Sequence, residues 1–293
     1  MSLQSSPHLL ASRAYAVGLA GSDAVMPAWG GSLVRRPLAD GQADGAGIYP
    51  LTVFGPGADL AAGLAELKTT DLVSVVLVPD PLLSDLADLK ATFEVCRPFK
   101  THHLIDPGKG AFAPNKHHRY EIRRAHSRCT VDVVGLADHL AEWSALYAGL
   151  VAREGITGAA NFSPGYFAML AGQSQIVALR ATVSGAPAGM ALWFEGAGVV
   201  YNHLNAANAL GYAHGANYAL YDSAIALFTG RGVINLGGGA GVDGDSGGLA
   251  VFKAGFANAA VEAHLCGAVL DPARYRLLSK GRPATGFFPA YRG

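Results

Sequence analysis

Gly232-Val-Ile-Asn235-Leu-Gly237-Gly238-Gly239-Ala-Gly241, an acidic and glycine-rich link, and then Phe252-Lys253-Ala-Gly255-Phe256 form the stretch on which the reading of this chain turns. A short β-branched run ends where glycines allow backbone angles that other residues resist. Two aromatic residues, Phe252 and Phe256, then bracket one lysine, Lys253. An apolar strand, a glycine loop and a cation between rings read as a reaction site rather than a packing solution. A lysine snorkelling from an aromatic cluster would leave the same residues.

The loop also spells Gly239-Ala-Gly241-Val-Asp-Gly244, a formal G-x-G-x-x-G after a strand. A dinucleotide site needs a helix opening at once and a complete βαβ unit beyond it. Asp243, Asp245 and the pair Gly247-Gly248 follow instead, and too little chain remains for the missing strands. Nicotinamide or flavin binding is not expected on that ground.

Working outward, the spacing predicts helices over 59–68, 81–90, 114–128, 137–154 and 214–229, with others opening at Ser163-Pro164 and Asp271-Pro272. Asn115 is placed as the N-cap of the third of these, 114–128, whose basic second half suits the helix dipole. Strands are expected at 14–20, 24–38, 48–54, 71–79, 130–134, 175–183, 189–195, 198–205, 233–236 and 260–265. Residues 92–105 read as extended, and 39–47 as a loop. From residue 135 the order is helix, helix, three strands, helix, strand, strand, helix, and the first 113 residues offer a weaker version of that alternation. This predicts an α+β (mixed α/β) chain of two similar halves, 1–134 and 135–293, with mostly antiparallel mixed sheets flanked by helices. No internal sequence repeat is evident at this level.

Composition sets the frame. The 293 residues are 51% hydrophobic and 15% charged, enough apolar material for a large core. Lys+Arg and Asp+Glu are both 22, which argues against a surface built as a whole to hold nucleic acid. Cys96, Cys129 and Cys266 are widely spaced and odd in number, so they read as buried free thiols rather than a disulfide framework or a zinc site. The adjacent pairs His102-His103 and His117-His118 cannot both turn to one metal from a strand, and no metal is expected. The N-terminus lacks a basic region, and apolar runs such as Val75–Val78 are far short of a membrane span. A soluble, cytoplasmic protein without membrane insertion is expected, and no signature of an oligomeric state is present.

Three segments in order resemble the Fem-type peptidoglycan bridge aminoacyltransferases and their GNAT-fold relatives. Asn235-Leu-Gly-Gly238 followed by Phe252-Lys-Ala-Gly-Phe256 matches that family's C-terminal signature. Thr101-His-His-Leu-Ile-Asp106 with His118-Arg-Tyr-Glu-Ile-Arg-Arg-Ala125, and Gly215-Ala-Asn217-Tyr-Ala-Leu220, look like two further family stretches. The resemblance implies a GNAT-like fold, a bound amine or peptide-like acceptor, and direct attack on an activated carbonyl. It associates the Phe-Lys pair with donor binding and transfer, so Lys253 is expected to stabilise the donor or its oxyanion and Phe252 to shape its channel, with Phe256 beside it.

Other candidates come from the residues themselves. His203, on a strand leading to the central helix, is a candidate proton acceptor, though such a histidine is as readily hydrogen-bonded in the sheet. Tyr201, Asn205 and Asn217 are candidate hydrogen-bonding groups. Gly215 opens the helix whose N-terminus can attract an anion. Lys116, Arg119 and Arg123 share one helical line suited to phosphates, or to a solvated face. The chain departs from the acetyl-CoA pattern at Asn208–Ala216, where Gly211 and Gly215 have the wrong spacing for a pyrophosphate loop. It also lacks a coiled-coil arm. No cofactor is expected to be tightly bound, and acyl-CoA is the expected co-substrate. An aminoacyl-tRNA donor acting on a peptidoglycan precursor, and a non-catalytic binding protein on the same fold, are the rival readings.

Overall fold

The computed structural model describes residues 8–20, 23–39, 41–110, 112–239, 247–282 and 286–293. The acidic part of the glycine-rich link, 240–246, and the first seven residues lie outside them. The chain forms two compact units, residues 1–99 with 262–293, and residues 100–261. Element order suggested halves meeting at 134, whereas the compact units divide at 99/100 and 261/262.

The first unit opens with helix α1 (Arg13–Ala20), followed by strands β1 (Asp23–Met26), β2 (Gly31–Pro37) and β3 (Ala43–Gly47). Helix α2 (Leu60–Leu67), strand β4 (Leu72–Leu77), helix α3 (Leu86–Thr92) and strand β5 (Val95–Ile105) come next. Four expectations fail here. Residues 14–20 are helical, since alanine is a strong helix former and Ser12 Oγ accepts the Tyr15 N–H at 3.2 Å. The strand expected over 24–38 is two antiparallel strands, parted by a turn at which the buried Trp29 donates its indole N–H to Leu60 O at 3.0 Å. The loop expected at 39–47 contains β3, a strand despite its Ala, Gly and Asp content. Its Asp44 is fully buried and receives Arg36 Nε at 2.8 Å and Arg292 Nε at 2.6 Å, so tertiary pairing overrides weak propensity. Residues 48–54 contribute only a single bridge, Thr52 to Pro79.

The second unit contains helix α4 (Lys116–His126), strand β6 (Thr130–Val134), helices α5 (Leu140–Glu154) and α6 (Pro164–Ala171), and strands β7 (Ile176–Val183), β8 (Ala186–Gly196) and β9 (Val199–Ala207). Helices α7 (Ala209–His214) and α8 (Ala216–Phe228), strand β10 (Val233–Gly237), helix α9 (Gly248–Ala254), strand β11 (Ala259–Val269) and helix α10 (Pro272–Leu278) complete the chain. The expected caps form: Asn115 Oδ1 accepts from His118 N at 2.9 Å and Ser163 Oγ from Tyr166 N at 3.2 Å. The helix expected over 214–229 forms as α8; a short helix that the sequence did not announce, α7, precedes it, and the two meet at Gly215, whose φ of 74° ends one and starts the other.

In each unit the strands pair as mixed, mostly antiparallel sheet. In the second unit the order is β5-β10-β9-β8-β7-β6, with β9 and β10 the one parallel pair. In the first it is β1-β2-β3-β4-β11, with β3 and β4 parallel. Along the chain β4 leads through α3 to β5, and β10 through α9 to β11. Yet β4 pairs with β11, and β10 pairs with β5. Strands β5 and β11 therefore each pair with a strand from the other half of the chain.

Separate apolar cores serve the two units. Trp29, Leu33, Leu67, Val75, Phe93 and Cys266 are central to the first. Trp193, Leu220, Tyr221, Phe228, Leu236 and Phe256 are central to the second.

Candidate active site around Lys253

Strands β9 and β10 run parallel for only three residue pairs, the last being Tyr201 with Asn235. Beyond it β9 continues to Ala207, whereas β10 shifts register against β5 and ends at Gly237. The two strands part there, and the candidate site is built on the β10 side of the opening.

Gly237 adopts a φ of 79°, and a Cβ on it would come within 3.0 Å of Lys253 Nζ. The turn is held by Asn235, whose Oδ1 accepts the Gly237 N–H at 2.8 Å and lies 3.2 Å from His102 Nδ1. Asn235 is 2% exposed, and its Nδ2 has no hydrogen-bond partner. Lys253, 8% exposed, reaches this turn from α9 and donates from Nζ to Gly238 O at 2.8 Å. Burial, and secondarily the charge of Lys100, pull the ammonium down to about 7. Burial, reinforced by Lys253, likewise lowers His102 to about 4, so its imidazole is neutral at neutral pH. Lys100 Nζ lies 3.4 Å from Gly239 O, on the next carbonyl of the same loop.

Phe252 and Phe256 hold α9 in place from one face of the helix. Phe252 packs edge-on to Tyr218 and Tyr221 of α8, with centroids 5.0 and 4.9 Å away. Phe256 meets the His118 ring at 4.7 Å. His118 donates from Nε2 to Phe252 O at 2.8 Å, a bond that fixes α4 to α9. The bracketing rings are thus the seat of the helix, and the lysine between them turns away to the glycine carbonyl. Gly255 is required by this packing, because a Cβ there would fall 2.0 Å from the His118 ring.

The other expected residues divide between the two faces of β9. A bulge at His203 shifts the β8–β9 register, so Asn202 and Asn205, three apart, both reach α8. Asn205 Nδ2 donates to Asn217 Oδ1 at 3.1 Å, and Tyr221 Oη donates to Asn202 Oδ1 at 2.8 Å. His203 and Tyr201 face the other way. Tyr201 stacks on Phe194 at 4.7 Å, and His203 Nε2 lies 2.6 Å from Tyr166 Oη of α6. Burial pulls His203 down to about 3. His203 is engaged with Tyr166 and Lys253 with Gly238 O, so the two expected catalytic residues have separate partners.

Gly215 packs on α4, its Cβ position 3.5 Å from Ala125, and α7 runs directly into it where a phosphate loop was sought. On α4, His118, Ile122 and Ala125 are buried and Lys116, Arg119 and Arg123 are exposed. Arg119 donates to Pro114 O at 2.7 Å. Sequence reasoning passed over His102, Asn235, Lys100 and Tyr166 as parts of these networks. Only the adjacency of Asn235 to the glycine run signalled any of them. Among the described residues no group of His, Cys, Asp and Glu is placed to hold a metal, and no helix is long and apolar enough to cross a membrane.

The chain matches no known family model and no curated protein. Among solved structures it is similar to the C-terminal DUF2156 domain of a putative lysylphosphatidylglycerol synthetase from Agrobacterium fabrum, with a TM-score of 0.62 at 15% identity, covering 87% of this chain and 85% of that one. It is similar to FemX at a TM-score of 0.60 and 12% identity, covering 84% and 86%. For L-PGS from Bacillus licheniformis the score is 0.57 at 14% identity, over 92% and 94%. These likenesses establish the architecture: the chain carries a mixed α/β fold of the kind seen in FemX and in the C-terminal domain of the lysylphosphatidylglycerol synthetase.

Proposed function

We propose that the protein is an N-acyltransferase in which a bound amine attacks the carbonyl of an activated acyl donor directly. One observation carries this reading: the desolvated ammonium of Lys253 lies 2.8 Å from a carbonyl oxygen at the point where β9 and β10 part. A donor carbonyl that takes the place of Gly238 O would meet the same cation. As the amine nitrogen bonds to carbon, the oxygen gains charge, and a preorganised cation shielded from water is worth most at that moment. Collapse of the tetrahedral species expels the leaving group, and the amine proton passes to water. The water route is preferred to His203, because that imidazole is weakly basic and already engaged with Tyr166. Asn235 and His102 hold the turn against which Lys253 is poised.

An acyl-CoA is the donor put first. Beyond Tyr201, β9 has no β10 partner, and an extended chain with amide groups suits a strand edge of that kind. An aminoacyl-tRNA donor is the second reading, favoured by the exposed row Lys116, Arg119 and Arg123 and by the resemblance of Asn235–Gly238 and Phe252–Phe256 to the Fem-type signature. Thermal-shift titration with acetyl-CoA, longer acyl-CoAs and free coenzyme A, repeated on Lys253→Ala, tests the first. Saturable stabilisation that the variant loses supports it; no shift with any of them sinks the coenzyme A donor. In that event Arg119→Ala/Arg123→Ala separates the remaining two: weakened, salt-dependent tRNA binding supports the RNA donor, and no tRNA binding in the parent leaves a non-catalytic binder.

A further inference from the structure

We propose that Cys96 and Cys266 are a peroxide-sensitive thiol pair that closes to a disulfide within the first unit. Cys96 lies near the start of β5 and Cys266 in the middle of β11, 170 residues apart in sequence, with their sulfurs 3.6 Å apart. Cys266 is fully buried beside Leu77 of β4, its partner in the ladder, and Cys96 packs on the same core while remaining partly exposed. The pair therefore joins an accessible sulfur to a protected one, the arrangement of an attacking and a resolving thiol. No third ligand for a metal stands with them among the described residues. Sulfurs already in contact must close to about 2.05 Å, a movement that side-chain rotation supplies.

The step balances with hydrogen peroxide as oxidant. The Cys96 thiolate takes a hydroxyl group from the peroxide, giving a sulfenic acid and hydroxide that is protonated to water. The Cys266 sulfur then loses its proton and attacks Cys96 Sγ, expelling the hydroxyl as a second water. Burial raises the Cys266 thiol above its ordinary value, so peroxide reacts first at Cys96. The bond would close a loop of chain that contains all of residues 100–261, which restricts the unfolded state and stabilises the folded one.

Peroxide treatment of the full chain, followed by thiol titration and non-reducing peptide mapping, tests this. The three free thiols are expected to fall to one, with a single Cys96–Cys266 linked peptide lighter by two hydrogens. The melting temperature should rise by several degrees and return on reduction. Cys129, buried with its sulfur 3.6 Å from His214 O, should stay reduced and serves as the internal control. Cys96→Ser should abolish the loss of two thiols, and Cys129→Ser should leave it unchanged. Persistence of all three thiols, or oxidation of Cys96 to the sulfinic acid while Cys266 stays free, would overturn the proposal. Mapping of the unmodified protein decides this even where a variant fails to fold.

Discussion

The segments α3–β5 and α9–β11 make the same move in the two units, and their residues correspond. Leu89-Lys90-Ala91-Thr92-Phe93 stands where Phe252-Lys253-Ala254-Gly255-Phe256 stands, each closing a helix ahead of a long strand. Phe93 and Phe256 are both buried in the core of their unit. The lysines part company: Lys90 is exposed at the end of α3, whereas Lys253 is 8% exposed and bonded to Gly238 O. The neighbours make the difference. Ahead of α9, β10 ends in a glycine turn that offers a carbonyl to the lysine. Ahead of α3, β4 runs on to Pro79 and to Asp80, whose side chain accepts the Leu82 N–H at 2.9 Å. One short motif thus yields a solvated lysine in one unit and a buried, carbonyl-bonded lysine in the other.

The largest expected effect separates the two lysines by activity. Lys253→Ala should lower turnover by roughly 10²–10³, the usual loss when one oxyanion donor is removed, and Lys90→Ala should leave it unchanged. Equal losses from both would break the contrast.

The fourth position of the motif sharpens it by stability. Gly255→Ala drives a methyl into the His118 ring and threatens the His118–Phe252 bond, so denaturant unfolding should register a loss of about 2–4 kcal/mol. Thr92→Ala, at the matching place in α3, should change stability by about 1 kcal/mol or less.

Burial of Lys253 costs folding energy that an apolar side chain would not. Lys253→Met is expected to stabilise by about 1 kcal/mol or more at neutral pH while abolishing turnover, and Lys90→Met should be neutral. The sign follows from linkage. With a folded value near 7 against an ordinary 10.5, the unfolded state binds the extra proton in between. Stability of the parent should therefore rise with pH across that window, and the Met variant should show a flatter dependence.

The smallest effect is acid lability of the second unit. His102, at about 4, and His203, at about 3, are neutral in the folded chain. Their stabilisation is present above pH 6.5 and is lost as pH falls towards those values. His102→Gln, read by hydrogen exchange in β5 and β10, should reduce that loss.

Much of the second unit was legible in sequence. The caps at Asn115 and Ser163, the alternation of β7 to β9 and the signature around Lys253 each rest on local chemistry, which neighbouring residues in the chain are enough to specify. The first unit was less legible. Ala14–Ala20 carries a helix former's composition under an apolar run of strand length, and β3 is made a strand by ion pairs from Arg36 and Arg292. The match between Leu89–Phe93 and Phe252–Phe256 also went unseen, since five residues with conservative changes acquire meaning only once both are found at the same place in the topology.

The sequence by itself determined most of the elements from residue 114 onward, the mixed fold and the cluster of lysine, aromatics and glycines, because periodicity, capping and backbone freedom are properties of short segments. Only the tertiary structure decided that β5 pairs with β10 and β11 with β4, that a bulge brings Asn205 as well as Asn202 to α8, and that Lys253 is buried while Lys90 is not. Those outcomes depend on strand register and on which groups are left without water, and both are set by partners distant in the chain.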